Sequence, residues 1–117
     1  MEKKYPEQLE HIKSLIDKMS KELPGTVSSF SKLHKEALAE GALSTKMKEL
    51  IALGIGISAG CEGCISYHTH DALTAGASRQ EILETIGVAI LMGGGPSMIY
   101  GAEAMAALDQ FEARGGQ

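Results

Sequence analysis

Apolar residues recur at helical spacing from one end of this chain to the other, and no run of β-branched residues is bounded by hairpin turns. That pattern predicts an all-α fold of about six helices, with glycine and proline as punctuation. The first helix, about Pro6 to Glu22, places Leu9, Ile12, Leu15, Ile16 and Met19 on one stripe and keeps Glu10, Lys13, Asp17 and Lys18 for solvent. Pro24 ends it and opens a second, to about Glu40, with Val27, Phe30, Leu33, Ala37 and Leu38 as apolar positions and Gly41 as a left-handed stop. Ser44 is a natural N-cap for a third, about Thr45 to Ser58, whose later part, Leu50 to Ile57, is apolar on all sides and must run into the interior. After the break at Ala59-Gly60, a fourth helix runs from about Cys61 to Ala75 and closes at Gly76. Ser78-Arg79-Gln80-Glu81 matches the capping box that starts a fifth, through about Met92. Beyond Gly93 to Gly95 a sixth starts at Pro96 or Ser97 and ends near Phe111, leaving Gly115-Gly116-Gln117 as a frayed tail.

With 117 residues and no repeat, low-complexity tract or linker, residues 1–117 are expected to form one domain. The apolar share is 44%, but much of it is Ala, and 14 Gly with two Phe, three Tyr and no Trp leave little large side-chain volume for a core. A bundle that completes its core by oligomerisation resolves that deficit. A net charge of −4 and no basic run longer than Lys3-Lys4 argue against nucleic acid. Thr85 to Ala102, free of formal charge, reaches the lower limit of a membrane span, but Gly93-Gly94-Gly95-Pro96 cuts it in half, so no membrane role is expected. The charged opening segment Met1-Glu2-Lys3-Lys4-Tyr5-Pro6 has no apolar signal core, which predicts a cytoplasmic protein.

Chemistry concentrates in Cys61-Glu62-Gly63-Cys64-Ile65-Ser66-Tyr67-His68. At about 100° per residue, Cys61, Cys64 and His68 fall within roughly 60° of one another around a helix. An i, i+3 pair brings the two Cα atoms to about 5 Å, so dithiol and disulfide interconvert with little backbone movement. The first turn of a helix favours a thiolate, and His68, one turn beyond Cys64, can take the Cys64 proton. Asp71 is placed to hold that imidazole but reads more simply as a solvated acid, and His70, on the opposite face from Cys61, reads as a surface or interface histidine. Glu49 is the last charged residue before the apolar run of the third helix; it is either an ordinary helix-surface Glu or a carboxylate at the edge of the interior that relays protons to and from His68. Met92, Met98 and Met105 read as core rather than as the mouth of a substrate site.

The combination Glu49, Cys61-x-x-Cys64 and His68 resembles the signature of the alkylhydroperoxidase D (AhpD-like) group of the carboxymuconolactone decarboxylase family. The similarity covers about Leu43 to Met92, continuing through Ala72, Gly76-Ala77-Ser78 and Glu81-Ile82. It implies an all-α bundle, a homotrimer or homohexamer, and thiol-dependent reduction of organic hydroperoxides at the expense of a dithiol reductant, of protein or lipoyl type, with no cofactor. By matching position it implies Cys64 as the attacking sulfur, Cys61 as the resolving sulfur, and His68 with Glu49 as the proton relay. Thioredoxin-type logic gives the reverse order of the sulfurs. The best-known peroxidases of the group carry a His between the cysteines where this chain has Gly63, and they are longer, so substrate and reductant are expected to differ and a neighbouring subunit to supply the missing half. The decarboxylase branch generally lacks the paired cysteines.

Three other readings fit Cys61 and Cys64. A structural disulfide closing so short a loop contributes only about 2 kcal/mol. A metal site would take Cys61, Cys64 and His68, with Glu49 or another subunit as fourth ligand, though no second Cys/His pair is present. A redox sensor would use the dithiol without peroxidase turnover. A c-type haem is excluded because Ile65, not His, follows Cys64, and a thioredoxin fold because the βαβ pattern is missing.

Overall fold

The helices expected from spacing and punctuation are all present in a computed structural model, which describes residues 2–115. They are α1 (Tyr5–Glu22), α2 (Pro24–Leu38), α3 (Thr45–Ala59), α4 (Glu62–Thr74), α5 (Arg79–Gly93) and α6 (Gly95–Ala113), with no strand among the described residues. Gly116 and Gln117 of the expected tail lie outside them. No helix is long and apolar enough to cross a membrane among the described residues.

Local chemistry sets the boundaries. Ser44 Oγ accepts from the Met47 N–H at 3.1 Å, and Ser78 and Glu81 form the reciprocal capping box, so both N-caps are where the sequence places them. The end of α2 differs. The chain leaves helical space at Ala39 (φ −65°, ψ 150°), and Gly41 is not among the positive-φ residues. A left-handed glycine is unnecessary there because side chains from the start of α3 satisfy the last carbonyls: Thr45 Oγ1 donates to Leu38 O at 2.8 Å and Lys48 Nζ to Ala39 O at 2.6 Å.

The apolar half of α3 packs against α4, α5 and α6, but it is not interior all round as expected. Leu50, Leu53 and Ile57 are buried, whereas Ile51 and Ile55 are exposed on the side α3 turns away from these neighbours. Leu53 and Ile57 of α3, Ile65 of α4, Ile82 of α5 and Leu108 of α6 are fully buried together. A second, smaller cluster joins Tyr5 and Leu9 of α1 to Ala107 and Phe111 of α6. Polar groups fasten the same seam: the Tyr5 hydroxyl donates to Glu103, and Lys3 Nζ bridges Glu103 and Glu62. The α1–α2 hairpin thus lies across α4 and α6, and α2 buries no residue of its own.

The outer stripe of this hairpin departs from the expected core. Phe30 is 66 % exposed, and Leu15, Met19 and Leu33 are also exposed, because α2 has only α1 and the edge of α3 to pack on. Met92, Met98 and Met105 are exposed too, not core. Met92 borders a cavity of about 480 Å³ between α3 and α5 whose walls are almost wholly apolar, on the opposite side of α3 from the cysteines' helix.

Candidate active site

Gly60 ends α3 in the left-handed region (φ +68°), which an L side chain adopts at a cost, and this turn delivers Cys61 as the N-cap of α4. Cys61 is therefore the residue before the helix and not its first turn, with α4 itself beginning at Glu62. Its Sγ accepts from the Cys64 N–H at 3.2 Å, among the unpaired N–H groups of the helix start, where negative charge on sulfur is favoured. Cys61 and Cys64 are joined as a disulfide with Cα atoms 5.2 Å apart.

The carboxylate comes from α3. Glu49 is 4 % exposed, so the ordinary helix-surface reading fails, and its Oε1 is hydrogen-bonded to His68 Nδ1 at 2.7 Å. A buried carboxylate fixed to one ring nitrogen orients the imidazole and leaves Nε2 for proton exchange. Asp71, the other candidate partner, instead pairs with His70 Nδ1 at 2.9 Å, and neither is simply a surface group: both are half-buried, and the His70 ring stands edge-on to Phe111 with centroids 5.4 Å apart.

Both sulfurs and His68 line a cavity of about 460 Å³. Its far wall is the α1–α2 hairpin, which contributes Ile12 and Ile16 from α1 and Phe30, Ser31 and His34 from α2. A Cβ at Gly63 would lie 3.0 Å from Ile12 Cδ1, so that wall rests directly on the backbone between the cysteines. Tyr67 closes one side, and burial, followed by the charges of Asp71 and Glu49, pushes its phenol above the usual range. It therefore remains a hydrogen-bond donor in neutral solution. Lys13 Nζ sits 5.4 Å over the Tyr67 ring.

Sequence reasoning missed this wall. Ile12, Ile16 and Phe30 carry the ordinary signature of a packing stripe, and nothing in one-dimensional spacing separates a residue facing a core from one facing a cavity. His34 did have a signal, since Val27, Phe30, His34 and Leu38 follow i, i+3, i+7, i+11 and put a polar ring on an apolar stripe. The metal reading changes its ligands: the described side chains close enough to share one cation are Glu49, His68 and Asp71, with ligand atoms within 4.8 Å of one another, and the sulfurs, bonded to each other, are not in the group.

Six helices that set a Cys-x-x-Cys pair at a helix start, beside a buried Glu–His pair and under an apolar wall, define a helical dithiol protein. The chain belongs to the carboxymuconolactone decarboxylase family, the family of the AhpD-like proteins, whose model matches residues 24–107. All of α2 to α5 and α6 as far as Ala107 lie in that span, whereas α1 and the end of α6 lie outside it. A Cupriavidus necator protein of uncharacterised function is 37% identical over 90 residues, covering 77% of this chain and 80% of that one. An uncharacterised Paracoccus denitrificans protein from the cox locus is 34% identical, covering 72% and 76%. Among solved structures, the apo form of a carboxymuconolactone decarboxylase family protein from Legionella pneumophila superposes with a TM-score of 0.89 at 41% identity, covering 92% of this chain and 96% of that one. A Thermotoga maritima family member considered for a role in antioxidative response gives 0.72 at 28% identity, covering 77% and 93%.

Proposed function

We propose that the chain is a thiol-dependent peroxidase that reduces organic hydroperoxides and is itself re-reduced by a dithiol. One observation carries the reading: a disulfide-forming pair opens onto a cavity beside an imidazole anchored by a buried carboxylate. His68 takes the Cys64 proton, and the thiolate attacks the distal oxygen of ROOH. An S–O bond forms, the O–O bond breaks, and the products are an alcohol and the Cys64 sulfenic acid. Cys61 then displaces water from that sulfenic acid to give the disulfide. An external dithiol reopens the bridge by exchange at Cys61, the sulfur at the helix start. Lactone decarboxylation, the chemistry in the family's name, has no use for two sulfurs that oxidise to each other.

Pre-reduced protein treated with one equivalent of cumene hydroperoxide is expected to lose two hydrogens by mass. Cys64→Ser removes peroxide consumption, whereas Cys61→Ser consumes one equivalent and retains a sulfenic acid on Cys64. Peroxide consumption that survives when both cysteines are replaced by Ser overturns the reading, and the reverse pattern in the two single variants exchanges the sulfurs' roles. Sustained turnover when dithiol donors are supplied distinguishes an enzyme from a sensor that oxidises once.

The same reading includes self-association as a homotrimer or homohexamer. It is supported by the apolar residues that α5 and α6 turn to solvent, Val88, Leu91, Met92, Met98 and Ile99, next to the apolar cavity between α3 and α5.

A further inference from the structure

Of the histidines on α2 and α4, two are tied to carboxylates and one is not. Glu49 holds His68 at 2.7 Å and Asp71 holds His70 at 2.9 Å, whereas His34 has no hydrogen-bond partner among the described residues. Its ring, half-buried on α2, lies nearly parallel to that of His68 (17°, centroids 6.1 Å) and edge-on to Tyr67 (centroids 6.3 Å). It opens on the same cavity as the sulfurs, but from the opposite wall. An imidazole without a partner, on a helix stripe otherwise made of Val27, Phe30 and Leu38, adds nothing to packing that an apolar side chain would not add better.

We propose that His34 is the general acid that protonates the leaving alkoxide when Cys64 attacks a hydroperoxide. The assignment rests on the peroxidase reading given above. In that step the Cys64 thiolate donates an electron pair to the distal oxygen, the O–O bond breaks, and the bonding pair leaves on RO⁻. Sulfur is oxidised by two electrons and the peroxide is reduced by two. RO⁻ then takes the proton of the His34 imidazolium and departs as ROH, and His34 recovers a proton from solvent, to which it is partly open. In-line displacement places the leaving oxygen on the side of the distal oxygen away from sulfur, and so toward the walls supplied by α1 and α2. Those walls consist of Ile12, Ile16, Phe30, Ser31 and His34, of which His34 alone is an acid–base side chain. His68, on the same helix as the sulfurs and already engaged with Glu49, serves the attacking end.

Leaving groups of different basicity test this. The cumyl alkoxide needs a proton as it departs, and the benzoate released from peroxybenzoic acid does not. In single-turnover oxidation of the pre-reduced full chain, His34→Gln is expected to slow cumene hydroperoxide by roughly 10²-fold and peroxybenzoic acid by less than about threefold. Added imidazole is expected to restore part of the cumene hydroperoxide rate of His34→Ala, and to leave wild type unchanged. Equal slowing with both oxidants, or no slowing with either, overturns the general-acid role. Wild-type protein that leaves cumene hydroperoxide unreduced overturns the peroxidase reading itself, and is told apart from failure of His34 because no variant is needed to see it.

Discussion

At Gly60 the chain leaves α3 with φ +68°, and a Cβ there would stand 3.1 Å from the Tyr100 ring. Both facts oppose any larger residue at the position that aims Cys61 at the helix start. Gly60→Ala is expected to cost about 1–2 kcal/mol for the left-handed conformation alone. Urea unfolding will show this as a lower midpoint at unchanged slope. The break at Gly60 was legible in the sequence, because glycine after an apolar run ends helices. The Tyr100 contact was not, since forty residues separate the two positions. Glu49 and His68 divide in the same way: their residue types and the offset to the cysteines drew attention to them, but only the packing of α3 on α4 brought Oε1 to within 2.7 Å of Nδ1.

The start of α5 is held by a motif contained within four residues. Ser78→Ala is expected to remove about 1 kcal/mol, because the Glu81 N–H loses its cap. The Glu81 carboxylate accepts the Ser78 N–H and, secondarily, Lys46, and these bonds hold its pKa below the ordinary 4.5. A lowered folded-state pKa means that the unfolded chain binds the proton first as pH falls. The stabilisation is therefore complete above about pH 4.5 and is lost as pH drops through the lowered value. Glu62 behaves alike, its pKa lowered first by Lys3 and then by Gln8, so the seam between the N-terminal segment and α4 loosens in the same acid range. Stability measured against pH should show wild type and Glu81→Gln differing above pH 4.5 and converging below it. Curves that stay parallel through the acid range would remove Glu81 from the effect. At this scale α2 is the exception to local legibility. Its amphipathic spacing is real, but its apolar face looks onto a cavity and solvent, because α1 and α3 leave it no third neighbour.

For the whole molecule, the apolar surface of α5 and α6 makes a prediction about assembly. Leu91 is 80 % exposed in the single chain, so Leu91→Glu should change the stability of an isolated subunit by no more than about 0.5 kcal/mol. Light scattering on eluting protein is expected to give three or six times 12.4 kDa for wild type and a smaller particle for this variant. A wild-type monomer would sink the assembly proposal and leave the dithiol chemistry standing, since every group in that cavity comes from one chain.

What the sequence determined by itself is what depends on near neighbours: six helices, their caps at Ser44 and Ser78, the break at Gly60, and a Cys-x-x-Cys pair with His68 on one face. These follow from backbone hydrogen bonding and side-chain geometry within one or two turns, where i, i+3 and i+4 relations are fixed in advance. Tertiary structure decided which apolar stripes became core and which became the walls of a cavity. It buried Glu49 against His68, gave Asp71 to His70, and set His34 across from the sulfurs. Those outcomes depend on how whole helices cross, and a hydrophobic stripe carries the same periodicity whichever neighbour it meets.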